Sequence, residues 1–333
     1  MSGADPEPFD EFDFIAEVLR PLTGGAVEAL RLADDAAVIP GPGGWDMVIT
    51  TDAMVEGVHF LKGDPPGLVA RKLLRVNLSD LAAKAAEPYG YFLTACWPAD
   101  WPLDARRAFA AGLAEDQAAF GLSLFGGDTT STPGPLTIGV TMLGKAPERD
   151  FVARAGAVAG DRLLVSGTIG DGWLGLQAAR GEIDWLGAEP AAWLADRYRL
   201  PQPRLALGPA LREHAAAAAD VSDGLAADAG HIGEASGAGV RIDLERLPLS
   251  DPARAWLEHQ PDRAQALAAL ASGGDDYEVV CAVAPAAAEA LVEAARAAGV
   301  AMTDVGEVTG GEGISVHFEG EVLPLAHAGW RHG

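Results

Sequence analysis

Apolar strand-like runs alternate with helical segments along the whole chain, and this alternation limits the folds open to it. Short runs rich in branched and aromatic residues, such as LTIGVTMLG and DYEVVCAV, have the length and composition of buried strands. Between them lie stretches with a helical period, for example residues 66–87 and 103–120. The pattern predicts a mixed α/β protein.

A polar segment near the middle of the chain, KAPERDFVARAGAVAGD at residues 145–161, interrupts the alternation. A chain of 333 residues is also long for a single hydrophobic core. We therefore predict two α/β domains, an N-terminal one at residues 1–148 and a C-terminal one at 149–333. Further strands are expected at AAVI, DMVITTD, LSLF, DRLLVSG, VRIDL, MTDVGEV and around VHF, and further helices near 10–20, 172–180, 204–215, 225–235 and 285–298.

The formal net charge of −24, from 48 acidic and 24 basic residues, bears on the possible partners. Nucleic acids and anionic membranes bind basic surfaces, so we expect neither as a partner. A phosphorylated small molecule is compatible with this charge when metal ions neutralise the site. No apolar run is long enough to cross a bilayer, and the acidic N-terminus lacks the features of a signal peptide. Cys96 and Cys281 lie in strand-like runs, the pattern of reduced thiols, so we expect a cytoplasmic protein.

Aspartates next to glycine, serine or threonine recur where apolar runs end. They are Asp34, Asp35, Asp52, Asp80, Asp128, Asp220, Asp223, Asp275 and Asp276. One aspartate at such a position is most often a turn or cap residue. Loops at strand ends carry the sites of α/β proteins, however, and Mg²⁺ prefers carboxylate oxygens together with water and phosphate. The full set therefore favours a site for several magnesium ions that bind a nucleotide.

Two similar segments, NLSDLAAKA at 77–85 and DVSDGLAADA at 220–229, each contain a Ser-Asp pair. Because this pair is common at helix N-termini, we expect Asp80 and Asp223 at the start of a helix or in its first turn.

Two phosphate-binding patterns are incomplete. The segment GVTMLGK (139–145) has P-loop spacing but lies in a strand pattern and lacks the following Ser or Thr. The segment GDGWLG (170–175) fits the dinucleotide fingerprint, yet a helical stretch stands where the acidic strand end should follow. We therefore reject both, although a glycine loop near phosphate is plausible at 167–170.

An ordered set of motifs carries a family resemblance: DDAAV, TTDAMVEGVHF, NLSDLAA, GGDTT, DVSDGLAADAGHI and SGGDDYE. In this set the chain resembles the thiamine-monophosphate kinase family and, more loosely, the superfamily of aminoimidazole-ribonucleotide synthetase and selenophosphate synthetase. The resemblance runs from about residue 10 to the C-terminus. It implies magnesium-assisted transfer of the γ-phosphoryl group of ATP to thiamine monophosphate. It also implies a homodimer formed by the N-terminal domain, with a C-terminal domain that closes over the nucleotide.

The resemblance implies roles for individual residues. The metal ligands would be Asp35, Thr50, Thr51, Asp52, Asp80, Asp128, Asp220 and Asp223. The ATP contacts would be Gly127, Asp128, Arg154 and Ser222, and the contacts to thiamine monophosphate would be His59, Asp275 and Trp330. The acceptor phosphate is itself a nucleophile, so no covalent nucleophile of the protein is expected.

The chain departs from the family pattern at several positions. Asp275 stands where the family usually has Glu, and Lys84 where it often has Met. Arg31, Leu32 and Ala33 replace a Gly-Ile-Gly sequence before DDAAV. The helix before GGDTT has no obvious equivalent of the family's nucleotide-contacting aromatic. Two alternatives stay open: another ATP-dependent synthetase of the same superfamily, and a non-catalytic sensor that binds magnesium or nucleotide.

Overall fold

Two sheets organise the computed structural model, which describes residues 11–325 and 327–330. The first sheet contains β1 (Ala37–Pro40), β2 (Trp45–Val55), β3 (Glu87–Pro98), β4 (Leu124–Thr132) and β5 (Thr137–Pro147), in the order β1-β2-β5-β3-β4. The second contains β6 (Arg162–Ser166), β7 (Ala215–Val221), β8 (Gly239–Asp243), β9 (Glu278–Val283), β10 (Met302–Thr309), β11 (Ile314–Phe318) and β12 (Glu321–Leu323), in the order β12-β11-β8-β10-β6-β9-β7.

Helices pack against both sheets, which confirms the predicted mixed α/β class. They are α1 (Glu11–Phe14), α2 (Pro66–Ala83), α3 (Leu103–Phe120), α4 (Asp171–Ala179), α5 (Ala188–Arg199), α6 (Gly208–His214), α7 (Leu225–Ser236), α8 (Asp251–Glu258), α9 (Arg263–Ser272) and α10 (Ala288–Ala297). A π-helical turn at Ile15–Leu19 and a 3₁₀ turn at Arg20–Thr23 continue α1. Among the described helices, none combines the length and the apolar composition that crossing a bilayer requires.

Helix α2 lies between the two sheets. It contacts β2 and β5 of the first sheet and β7 and β9 of the second. Its residues Val69 to Ala83 are buried almost without interruption, and they include the polar residues Lys72, Asn77 and Asp80. Lys84, which directly follows the helix, is buried too. A buried polar group needs a partner, so α2 brings obligatory polar contacts to the junction of the sheets.

Three sequence predictions about local structure are wrong. The VHF segment is not a strand: residues 57–59 form a turn, with Gly57 at φ 84°. Asp80 lies in the last turn of α2 and not at a helix start, because the apolar period of α2 continues through Leu78 and Leu81. The motif GGDTT lies inside β4 and not after a strand end. In contrast, GVTMLGK lies within β5, as expected for a rejected P-loop.

Candidate functional site

Three carboxylates from distant parts of the chain meet beside α2. Asp35 comes from the loop before β1, Asp80 from the last turn of α2 and Asp220 from the end of β7. One carboxylate oxygen from each lies within 4.8 Å of the other two. We call these residues the carboxylate group. Buried carboxylates at this spacing repel each other strongly, and an all-oxygen donor set suits a hard divalent cation such as Mg²⁺.

The pKa values show this repulsion. Burial, followed by the charges of Asp52 and Asp220, raises the pKa of Asp80 well above its ordinary value. Burial and the charge of Asp35 raise the pKa of Asp220 to about 8, and the same two causes raise that of Asp52 to about 6. Burial would also raise the pKa of Asp35, but Arg154 and Lys84 outweigh it and hold the value at about 2. A divalent cation that enters the group therefore has to displace protons.

Strand β2 supplies Thr50 and Asp52 to the carboxylate group. The Thr50 hydroxyl donates a hydrogen bond to Asp80 Oδ2, and the Asp52 backbone N–H donates to Asn77 Oδ1 of α2 at 3.2 Å. Side chains alternate along a strand, so Thr51 points to the other face. Its hydroxyl donates to the Val140 carbonyl at 3.2 Å. The structure therefore brings the side chains of Thr50 and Asp52 to the group and turns that of Thr51 away.

The loop that carries Asp34 and Asp35 is fixed by two cations. The Arg154 guanidinium forms an ion pair with Asp35 Oδ1, and the Arg154 backbone N–H donates to Asp34 Oδ2 at 2.8 Å. Lys84 forms ion pairs with both aspartates. Just before them, Arg31 and Leu32 have φ values of 63° and 50°, in the left-handed region that favours glycine. The first glycine of the family's Gly-Ile-Gly would suit the left-handed conformation of Arg31, whereas the isoleucine would fall on the left-handed position of Leu32 and gain nothing there.

The turn between β7 and α7 places Ser222 and Asp223 next to the group. Asp223 contributes to the raised pKa of Asp52, so its carboxylate acts on the same site. Asp228 Oδ2 accepts hydrogen bonds from the backbone N–H groups of Asp223 at 3.1 Å and Gly224 at 3.2 Å. Burial raises the pKa of Asp228 well above its ordinary value. Asp223 thus precedes a helix, as predicted, and Asp228 holds the turn in place.

His59 and Asp275, two of the three predicted substrate contacts, meet at Lys72. Lys72 Nζ donates to the His59 carbonyl at 3.0 Å and forms an ion pair with Asp275 Oδ1 at 2.9 Å. The same ammonium lies 3.8 Å from the centre of the Tyr198 ring, a cation–π contact. His59 Nδ1 accepts the Val55 N–H at 3.0 Å, so a neutral His59 carries its proton on Nε2.

Trp330, the third predicted substrate contact, lies on the other side of Asp223. Its backbone N–H donates to the Asp223 carbonyl at 3.0 Å, and its side chain is exposed. A cleft of about 320 Å³ is lined by Trp330, Trp173 and the segment 272–274 of SGGDDYE, among others. The cleft therefore connects the Trp330 ring with the segment that carries Asp275.

Gly127 and Asp128 lie apart from the carboxylate group within one chain. Asp128 is exposed on the edge strand β4 and pairs with Thr94 of β3. Three strand spacings, or about 14 Å, separate β4 from β2, which carries Asp52. A Cβ at position 127 would lie 1.8 Å from the Leu93 carbonyl, so only glycine fits there. The roles of Gly127 and Asp128 stay predictions.

The glycine loop before α4 is filled by a protein carboxylate. Asp276 accepts hydrogen bonds from the backbone N–H groups of Gly170 at 2.7 Å and Gly172 at 2.8 Å. These are the donors that a phosphate would use at a helix N-terminus. The loop is thus held by Asp276. A phosphate could not bind to the N–H groups of these two glycines, as was considered plausible from sequence, because both already donate to Asp276.

Sequence reasoning gave no role to Lys84, Asn77 and Asp228. The spacing of two of these residues could have indicated a role. Asn77 lies three residues before Asp80 and Lys84 lies four residues after it, in one helical stretch. Residues at these spacings share a helix face. The contacts of Lys84 with Asp34 and Asp35 join positions about 50 residues apart, which no local pattern reports.

Two family models match the chain: AIR synthase related protein, N-terminal domain, over residues 33–146, and AIR synthase related protein, C-terminal domain, over residues 158–319. The thiamine-monophosphate kinase of Caulobacter vibrioides is 57% identical over 326 residues, which cover 98% of this chain and 92% of the relative. The thiamine-monophosphate kinase of Escherichia coli (strain K12) is 36% identical over 324 residues, covering 97% of this chain and 98% of the relative.

Solved structures give the same picture. AaThiL complexed with AMPPCP and TMP aligns with a TM-score of 0.85 at 27% identity and covers 99% of both chains. The thiamine-monophosphate kinase from Stenotrophomonas maltophilia K279a aligns with a TM-score of 0.75 at 34% identity and covers 94% of this chain and 98% of that one. HypE of E. coli, at 23% identity and a TM-score of 0.67, shares the fold.

Proposed function

The chain belongs to the thiamine-monophosphate kinase family, and we propose that it transfers the γ-phosphoryl group of ATP to thiamine monophosphate, giving thiamine diphosphate and ADP. The observation that carries the proposal is the carboxylate group of Asp35, Asp80 and Asp220, with Thr50, Asp52 and Asp223 beside it. A buried, all-oxygen, strongly acidic site fits magnesium ions that neutralise a polyphosphate.

Bound Mg²⁺ would stabilise the charge that develops on the transferred phosphoryl group and hold donor and acceptor in line. The chain would hold these ions through Asp35, Thr50, Asp52, Asp80, Asp220 and Asp223. The family resemblance also implies Thr51, whose hydroxyl donates to the Val140 carbonyl in this structure. Arg154 and Ser222 lie at the same place and would contact the nucleotide. Gly127 and Asp128 of β4 lie about 14 Å from β2 within one chain, so their contact with the nucleotide would require the homodimer proposed below. No step needs a covalent nucleophile, because the acceptor phosphate oxygen attacks directly.

His59, Lys72 and Asp275 would position the acceptor. Lys72 is nearly fully buried, and its ammonium holds the His59 loop and Asp275 together. The His59 Nε2–H is a suitable donor for the phosphate of thiamine monophosphate, and the Trp330 ring face suits the cationic thiazolium. Asp275 has a shorter side chain than the glutamate that the family usually has, and the ion pair with Lys72 sets its position here.

The activity test is ADP release from MgATP by the purified protein, with and without thiamine monophosphate. We expect release only when both substrates are present, because the acceptor oxygen supplies the nucleophile. Binding of the MgATP analogue AMPPCP without any release would favour the sensor. Release that requires a different acceptor, such as an amide or selenide, would favour another synthetase of the superfamily.

We also propose that the protein works as a homodimer in the cytoplasm. Tyr89, Phe92, Leu124 and Phe125 of β3 and β4 are all exposed, and contiguous exposed apolar residues typically mark an interface. Cys96 and Cys281 are free thiols, which suits a reducing compartment.

The Phe92→Asp variant tests the dimer. We expect it to shift sedimentation equilibrium toward the monomer, because a charge would be buried at the interface without a partner. Trp185→Asp, which replaces another exposed aromatic residue, is the matched control and should leave the assembly unchanged. Monomeric wild-type protein, or a Phe92→Asp variant as dimeric as the control, would contradict this interface.

A further inference from the structure

The Lys84 side chain ends at a point between three oxygen atoms. Nζ lies 2.7 Å from Asp34 Oδ1, 2.9 Å from Asp35 Oδ2 and 2.8 Å from the Ala218 carbonyl. The contact with the Ala218 carbonyl is a hydrogen bond donated by Nζ, and the contacts with the two carboxylates are ion pairs. The side chain is fully buried. Burial lowers the pKa of an ammonium, but Asp35 and Asp34 outweigh it and raise the pKa of Lys84, which keeps the charge.

The same three oxygens would suit a metal ion. Two carboxylates and a backbone carbonyl are common ligands of hard cations in proteins. We call this set, formed by Asp34, Asp35 and Ala218, the Lys84 cage. The cage adjoins the carboxylate group, because Asp35 belongs to both and Ala218 lies two residues before Asp220 in β7.

Arg154 does not take the place of Lys84. Its guanidinium pairs with Oδ1 of Asp35, whereas the ammonium of Lys84 lies at Oδ2. The contact between Arg154 and Asp34 is made by the backbone N–H. Among the ion pairs of the described residues, Lys84 is therefore the cation whose side chain contacts both Asp34 and Asp35.

We propose that the ammonium of Lys84 occupies a cation site formed by Asp34, Asp35 and Ala218 and acts there in place of a bound metal ion. Its single positive charge offsets part of the charge of the two aspartates, Arg154 pairs with Asp35 as well, and the ammonium fastens their loop to β7, so that Asp35 stays next to Asp80 and Asp220. Lys84 is thus a positioning residue of the carboxylate group. The proposal rests on the proposed function in one respect: the test counts divalent ions that bind together with a nucleotide. The count needs nucleotide binding but no phosphoryl transfer.

The test is the Lys84→Met variant, which removes the charge and keeps an unbranched side chain. We expect it to bind one more divalent ion per protomer than the wild type in the presence of AMPPCP, measured by Mn²⁺ titration with electron paramagnetic resonance detection. In EDTA its Tm should fall by roughly 10 °C, since removing one partner of a buried ion pair is strongly destabilising, and Mg²⁺ should recover most of the loss. Arg296→Met, which removes an exposed cation on α10, is the matched control and should change neither value.

A second variant separates neutralisation from side-chain packing. In Lys84→Met/Asp34→Asn the cage has lost one negative charge together with the ammonium, so the ion count should return to that of the wild type. An unchanged count in Lys84→Met would overturn the proposal, as would failure of that variant to fold in Mg²⁺, or an extra ion in the double variant. If the wild type binds AMPPCP and Mn²⁺ but shows no turnover, the proposed kinase activity fails while the ion count still decides the role of Lys84.

Discussion

The Asp220→Asn variant should lose activity by about 10²–10³-fold and yet be more stable than the wild type in EDTA. Asp220 is one of the three residues whose oxygens converge in the carboxylate group, and the amide gives a cation a neutral ligand in place of a charged one. The stability should rise because an amide is not repelled by Asp35 and Asp52, the charges that help to raise the pKa of Asp220. Steady-state ADP release and thermal unfolding in EDTA measure the two effects.

Opposite changes in activity and stability distinguish a metal ligand from a structural residue. If Asp220 only supported the fold, its replacement would lower both together. Asp104→Asn, at a position on α3 whose side chain is 90% exposed, is the matched control and should leave both unchanged. Activity of Asp220→Asn within threefold of the wild type would remove this residue from the proposed metal site.

The fold class and the aspartates that meet beside α2 were accessible from sequence because they depend on local patterns. The helical period of α2 and the apolar run of β5 are recorded in consecutive residues, and both elements occur where they were expected. The acidic residues that meet in the carboxylate group were also identified, because aspartates at the ends of apolar runs are unusual unless a cap or a ligand is needed. That these aspartates meet at one point, however, depends on how α2 packs between the two sheets.

The remaining features depend on contacts between distant segments. Sequence placed Asp80 near a helix start, since Ser-Asp is a common cap, whereas the longer apolar period of α2 overrides that preference. The position of Asp128 depends on the parallel pairing of β4 with β3, which has no local signature. Asp276 fills the glycine loop before α4 from a segment about 100 residues away. The motifs therefore identified which carboxylate side chains are present, but not which distant residues those side chains contact.

Without divalent cations, the protein should become less stable as the pH rises from about 5 to about 8. The pKa of Asp220 is raised from its ordinary value of 3.8 to about 8, and that of Asp52 to about 6. Between these values the folded state keeps protons that the unfolded chain has lost, so the free energy of unfolding decreases with pH. The pKa of Asp35 is shifted in the opposite direction, from its ordinary value of 3.8 to about 2. Its contribution to the free energy of unfolding is therefore constant above about pH 4 and does not change between pH 5 and pH 8.

The decrease should be on the order of a few kcal/mol and should be visible in urea unfolding in EDTA at pH 5.5, 7 and 8.5. Mg²⁺ together with AMPPCP should abolish it, because the cations replace the protons and their binding strengthens as the carboxylates ionise. Asp220→Asn should show a shallower decrease in EDTA than the wild type, whereas Asp104→Asn should match the wild type. Equal stability of the wild type at the three pH values would mean that the carboxylate group is ionised without metal, and that the cations of Arg154 and Lys84 alone balance its charge.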